Sequence, residues 1–312
     1  HSGGCASSRP RVGAARLRRC DGVLTVPARF QIKTEDGPIS CEMEFFMKKL
    51  LLATVLSLAC TTVAGAQGIT EFRIGLLGGE NAQDRLASNE CFRAYTEEAL
   101  GVPTKLFTAA DYNGVIQGLL GGTLDMAWLG ASAYAAVYLE NPEAVEPVLV
   151  KTNLDGSYTY HSIGFARKDS GITSVADMKG KKFAFADVNS ASGYLIPKVE
   201  LPQEGYSMKP GEFFGDIVFS GGHEQSIVGV KNGDFDAAVA WADGLGNWED
   251  GYNSGALRRA VDAGLVDMND LVQIWKSKPI PEGPIVLRSA LPDDVKAKMI
   301  ELTAGLHVKD KA

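Results

Sequence analysis

Asp187–Pro197, reading Asp-Val-Asn-Ser-Ala-Ser-Gly-Tyr-Leu-Ile-Pro, gathers residue types that suit anion binding. A strand-like run, Lys182–Ala186, enters it, and a helical pattern leaves it from Gly193 onward. Asn189, Ser190 and Ser192 are helix-capping types, and Gly193 lets the backbone come close to another group. The free N–H groups of a helix start and two hydroxyls can therefore converge on one oxyanion. Ser-rich turns between strand and helix also serve as plain helix caps, and this stretch alone leaves both readings open.

His223 follows Ser220-Gly221-Gly222 and opens another helical pattern, from which a ring N–H can reach an anion; a capping or core histidine is the simpler reading. No second His or Cys stands at ligand spacing, and His161 and His307 fall on other elements, so no metal is expected at His223-Glu224. The hydroxyls of Tyr112, at a helix start, and Tyr160, on a crossing strand, can donate to the same anion or pack at an interface. Asp243 lies in Trp241-Ala242-Asp243-Gly244-Leu245-Gly246-Asn247-Trp248-Glu249-Asp250. A carboxylate beside aromatic residues such as Trp241 and Trp248 can hold an ammonium by ion pairing and cation–π contact, although solvated loop acids are common. The chain carries no Gly-x-Ser-x-Gly elbow, phosphate loop or His-Glu-x-x-His, and Asp125 and Asp236 read as turn or cap residues, so no catalytic group is expected.

These residues need a scaffold, and 312 residues with 45% hydrophobic content suffice for two α/β lobes. Met47-Lys48-Lys49, the apolar run Leu50–Ala59 and Ala64-Gly65-Ala66 predict a signal peptide over 47–66, cut before Gln67. Residues 1–46 lack periodicity and read as a non-native upstream segment. Cys60 raises the alternative of a lipoprotein anchor, but Ser57 stands where an aliphatic residue is preferred. Four of the five cysteines precede the expected cut, so the fold is expected to rest on its core, with Cys91 a small buried hydrophobe. Removing residues 1–66 takes away nine Lys/Arg and five Asp/Glu and moves the formal charge from −7 to about −11, which argues against nucleic acid as a partner. The abrupt end at Ala312 suggests missing C-terminal residues.

The remaining chain reads as two copies of strand, helix, strand, helix, strand. Gly122-Thr123-Leu124-Asp125-Met126-Ala127 and Gly233-Asp234-Phe235-Asp236-Ala237-Ala238 are one phrase, 111 residues apart, and that offset places Tyr112 on His223 and Gly78-Gly79 on Asn189-Ser190. Such units are also common to α/β proteins at large. Each copy predicts a doubly wound, mainly parallel sheet with ligand loops at the carboxyl ends of its strands. The expected lobes are 67–160, joined by a returning 272–312, and 161–271, with Tyr158–Phe165 crossing between them and the ligand in the cleft.

Asp111-Tyr112-Asn113-Gly114-Val115-Ile116-Gln117-Gly118, Asp187–Pro197, Gly222-His223-Glu224, and Ile274-Trp275-Lys276-Ser277 with Ile280-Pro281-Glu282-Gly283-Pro284 occur in an order that resembles the phosphate/phosphonate-type periplasmic substrate-binding proteins of ABC importers. The resemblance runs from about Phe72 to the C-terminus. It implies a two-lobed type II binding-protein fold, no catalysis and no cofactor, a monomer in the periplasm, and delivery of a small phosphonate such as 2-aminoethylphosphonate to a membrane permease. Carried over residue by residue, it makes Tyr112, Ser190, the Ala191 N–H, Ser192 and His223 phosphonate contacts. Tyr160 and Asp243 fall where aminoethylphosphonate-binding members place a Tyr and a Glu; Gly193, Trp241 and Glu282 are further candidates. Ala191 replaces a threonine, Asp243 is one methylene shorter than Glu, and Gly283 stands where a second ammonium-binding Asp is expected. Gly78-Gly79 replaces hydroxyl residues and is expected to widen the pocket. Phosphate, phosphite or another small oxyanion is the alternative ligand, and a secreted enzyme acting on phosphorylated small molecules or a sensory domain are more distant readings.

Overall fold

The structure, a computed structural model, describes residues 68–309. The expected upstream segment, the signal peptide and Cys60 lie outside the described residues. β1 (Phe72–Leu76), α1 (Ala82–Leu100), β2 (Thr104–Thr108), α2 (Tyr112–Leu120) and β3 (Met126–Trp128) form the first copy. β1 pairs in parallel with both neighbours, Phe72 opposite Thr104 and Ile74 opposite Met126. The local signals are conventional ones: the Asn81 side chain caps α1 by accepting from Gln83 and Asp84 N–H, and Gly101 ends it in the left-handed region at φ 70°.

α3 (Ala131–Glu140) and β4 (Val145–Val150) follow, and β5 (Thr159–Arg167) crosses into the second sheet. There β6 (Lys182–Phe185) runs through a π-helical turn, Ala191–Leu195, into α4 (Ile196–Gln203). β7 (Asp216–Phe219), α5 (His223–Asn232) and β8 (Ala237–Ala242) complete the second copy, again with parallel pairs on both sides of β6. The shared phrase has one structural job in both. Asp125 N–H donates to Arg73 O and its Oδ2 accepts from Arg73 N–H; Asp236 N–H donates to Lys182 O and its Oδ2 accepts from Lys182 N–H. These two aspartates clamp neighbouring strands. Asp125, almost fully buried, also pairs with the guanidinium groups of Arg73 and Arg288.

α6 (Ala256–Asp262), β9 (Leu271–Lys276), β10 (Ile280–Pro281), β11 (Pro284–Arg288) and α7 (Asp293–Lys309) finish the described chain. Both sheets are mixed, ordered β2-β1-β3-β11-β4 and β10-β5-β8-β6-β7, with β9 on the β5 edge. Their parallel parts are the two copies, and the antiparallel strands cross or return. Helices cover both sheets, giving two lobes of the type II binding-protein fold. The expected return at 272 is corrected: β9 and β10 pair with β5 in the second sheet, and β11 is the strand that inserts between β3 and β4. Apolar alternation in Leu271–Lys276 suits either sheet; the open edge of β5 decides it.

Each sheet is buried on both faces, as parallel strands require. Phe72, Ile74 and Leu76 pack with Leu100, Val295, Met299 and Leu302, while Ala127 and Val286 face α2 and α3. In the second lobe Ala238 and Ala240 face α5 and α6, and Phe183, Phe185, Ala237 and Val239 pack with Met178, Leu201 and Phe214. Cys91 is half-buried on α1 and disulfide-bonded, which corrects the expectation of a small buried hydrophobe there. Among the described residues no helix is long and apolar enough to cross a membrane.

Candidate functional site

The carboxyl ends of the parallel strands point at the interval between the lobes, and most of the predicted residues meet there. Tyr112 opens α2 in the first lobe. Ser190, Ala191, Ser192 and Gly193 belong to the turn after β6 in the second, and His223 opens α5. All are buried: Ser190 and Ser192 are 2% exposed, His223 4% and Tyr112 8%.

Ser190 is the hub. Its Oγ accepts from Gly193 N–H at 2.9 Å and lies 3.3 Å from His223 Nε2. Ser192 is held from behind, its carbonyl accepting from Ser162 Oγ at 2.6 Å. The Tyr112 hydroxyl interacts with Ser190, and the Tyr160 hydroxyl with the side chain and backbone of Ser192. Gly193 is required for the approach, because a Cβ there would lie 2.7 Å from Ala186 Cβ and 2.8 Å from Ser190 Oγ.

Burial governs the protonation states. It pushes the Tyr112 phenol up to about 12 and the Tyr160 phenol well above its ordinary value, so both stay hydrogen-bond donors at neutral pH. It holds the His223 imidazole down to about 4. His223 Nδ1 is buried with no hydrogen-bond partner among the described residues, and α5 has no side-chain cap. Hydroxyls, a ring nitrogen and an uncapped helix start are what an oxyanion needs, without a basic surface.

The lobes touch across this site. Tyr112 N–H donates to Asp187 Oδ2 at 3.2 Å, Ser132 Oγ to Asn189 O at 2.6 Å, and Asn81 N–H to Glu224 Oε2 at 3.0 Å. Gly79 and Gly222 meet backbone to backbone, and a Cβ on Gly222 would overlap Gly79 Cα. The expectation that Gly78-Gly79 widens the pocket is thereby corrected: Gly79 admits the opposite loop, and a Cβ on Gly78 would meet the backbone of Ala109, Ala110 and Asp111 in its own lobe.

Asp187, Glu80, Arg85, Arg259 and Lys151 were missed as site neighbours. Asp187 is buried, and its Oδ1 also accepts from Asn189 N–H at 2.7 Å; burial raises its carboxyl above the ordinary range. Its position at the end of β6 was the available signal. Glu80 pairs with Arg85 at 3.3 Å and, across the cleft, with Arg259 at 2.7 Å. Burial lowers the Arg85 pKa, and its Nε has no hydrogen-bond partner among the described residues. Nothing in sequence spacing brings 80, 85 and 259 together.

The expected ammonium end is less unified. Trp241 packs edge-on to Tyr160 at 6.2 Å. Asp243 is buried, but its Oδ1 accepts from Leu245 N–H at 3.2 Å, and its charge acts on His161 and Tyr252; the carboxylate whose charge acts on Tyr160 is Glu282. Glu282 in turn is ion-paired with Lys151 at 3.1 Å. Trp248 packs on Tyr252, away from Tyr160. A Cβ on Gly283 would fall on the Leu129 carbonyl oxygen, so this backbone leaves no room for an acid there.

The family profile described as "ABC transporter, phosphonate, periplasmic substrate-binding protein" matches residues 74–312. Over 242 residues the chain is 29% identical to the phosphate-import protein PhnD of Mycolicibacterium smegmatis, covering 75% of this chain and 71% of that protein. Over 245 residues it is 30% identical to the phosphonates-binding periplasmic protein of Escherichia coli, covering 76% and 67%. Its fold is similar to that of a binding-protein component of an ABC phosphonate transporter from Pseudomonas aeruginosa, with a TM-score of 0.64 and 28% identity over 74% of this chain and 72% of that one. The chain belongs to the periplasmic, non-catalytic substrate-binding proteins of phosphonate-type ABC importers, which serve a membrane permease.

Proposed function

We propose that the cleft captures a small phosphonate by its phosphoryl oxygens and hands it to the permease. The carrying observation is the convergence, from both lobes, of Tyr112, Ser190, Ser192 and His223, with the Ala191 N–H and the Tyr160 hydroxyl completing the ring. Charge-assisted bonds gain strength in such a water-excluded place. The proposal includes a monomer exported by a signal peptide cut near Ala66. Phosphate or phosphite is the second reading, favoured by the name of the Mycolicibacterium relative, a phosphate-import protein.

Calorimetric titration with methylphosphonate and phosphate separates the two. Methylphosphonate is expected to bind at least tenfold more tightly; the reverse order would move the substrate to inorganic phosphate, and no heat with either would overturn the site. The 2-aminoethylphosphonate named by the family resemblance needs, in addition, an acid for its ammonium.

A further inference from the structure

The second end of the cleft already contains its own cations. Lys151 Nζ lies 5.4 Å from the centroid of the Trp241 ring, and Arg259 Cζ lies 5.2 Å from it. The indole that would face a ligand ammonium is therefore engaged by an ammonium and a guanidinium from the protein. Lys151 comes from the segment between β4 and β5, and its ion-pair partner Glu282 from the segment between β10 and β11, so the two strand crossings supply the pair. Glu80 is shared between Arg85 and Arg259.

The charged groups acting electrostatically on Tyr112, Tyr160 and His223 are Glu80, Asp187, Glu282, Arg85 and Arg259. With Lys151 added, three cations stand beside three carboxylates; Glu80 and Glu282 are each ion-paired with a cation of the chain, and Asp187, at the anion end, accepts from the Tyr112 and Asn189 N–H groups. Asp243 keeps one oxygen on Leu245 N–H and acts on the other side of β5. An alkylammonium entering here would meet like charge on Lys151 and Arg259, and such juxtapositions select against the ligand that carries it. A neutral alkyl group would meet Trp241 and Tyr160, and a carboxylate would meet Lys151 and Arg259.

We propose that Lys151 and Arg259, flanking Trp241, are specificity-determining residues that reject aminoalkylphosphonates and favour phosphonates bearing an uncharged or carboxylate substituent. This deepens the phosphonate reading and rests on it. Lys151 is a better site for the test than Arg259, which is exposed at the rim and also joins the lobes through Glu80.

The experiment titrates the full chain, by calorimetry, with ethylphosphonate, 3-phosphonopropionate and 2-aminoethylphosphonate. The first and last differ only in the amine. Wild type is expected to bind 2-aminoethylphosphonate at least tenfold more weakly than ethylphosphonate, and 3-phosphonopropionate at least as tightly as ethylphosphonate. Lys151→Met, which leaves Glu282 without its cation, is expected to narrow or reverse the gap between amine and ethyl ligands by about tenfold. Lys151→Arg keeps the charge and should keep the wild-type order. A wild-type preference for the amine overturns the inference and leaves the phosphonate reading standing, as does a Lys151→Met effect equal on all three ligands, which marks a purely structural ion pair. No binding by any of the three overturns both.

Discussion

Replacing Ser190 and Ser192 by alanine together is expected to weaken phosphonate binding by roughly 10²- to 10⁴-fold. A hydrogen bond to a charged partner contributes about 1.5–3 kcal/mol, and two are removed from a site that excludes water. The backbone should persist. Ser162 Oγ holds the carbonyl of residue 192, and the turn is anchored separately by Ala186 N–H donating to Gly193 O at 2.9 Å. Calorimetry on wild type and the double variant measures the effect, with urea unfolding as a check on the fold. Wild-type affinity in a folded double variant would remove these serines from the site.

Gly222→Val should act at the other level, on lobe closure. Gly222 has φ 172°, extended backbone that any residue adopts, so its own lobe accepts the change. What blocks a side chain is Gly79 of the opposite lobe, together with the movable end of Gln225. Overpacking of this kind costs about 1–3 kcal/mol, which predicts roughly 10- to 100-fold weaker binding, provided the bound state keeps the contact. Small-angle scattering should show that saturating methylphosphonate compacts wild type more than the variant, while the unfolding midpoints stay close. Equal compaction and equal affinity would mean that ligand is held without this approach of the two loops.

The sequence carried the scaffold well because its two copies repeat a phrase with a structural purpose. Asp125 and Asp236 clamp equivalent strand pairs, and Tyr112 and His223 both open helices whose starts face the cleft. The anion end was legible for the same reason: a Ser-rich turn after a parallel strand and two helix starts are local features that fold topology brings to one edge. The second end was not legible. Lys151 and Glu282 are 131 positions apart in the chain and Glu80 and Arg259 are 179 apart, and charge pairing across such distances leaves no periodic trace. Asp243 follows β8 beside Trp241, where the sequence suggests an ammonium-binding acid, but its Oδ1 serves a local turn, and the acid whose charge acts on Tyr160 is Glu282. β9 went to the wrong sheet because edge pairing is settled by an open neighbour and not by the strand's own residues.

The most direct test of the account is a ¹H–¹⁵N titration of the full chain with methylphosphonate. The account predicts that the amides of Ala191, Ser192 and Gly193, together with the His223 ring nitrogens, undergo the largest changes and saturate along one binding curve. Saturable changes confined to other parts of the chain, with these signals unmoved, would contradict the placement of the ligand between Tyr112, Ser190, Ser192 and His223.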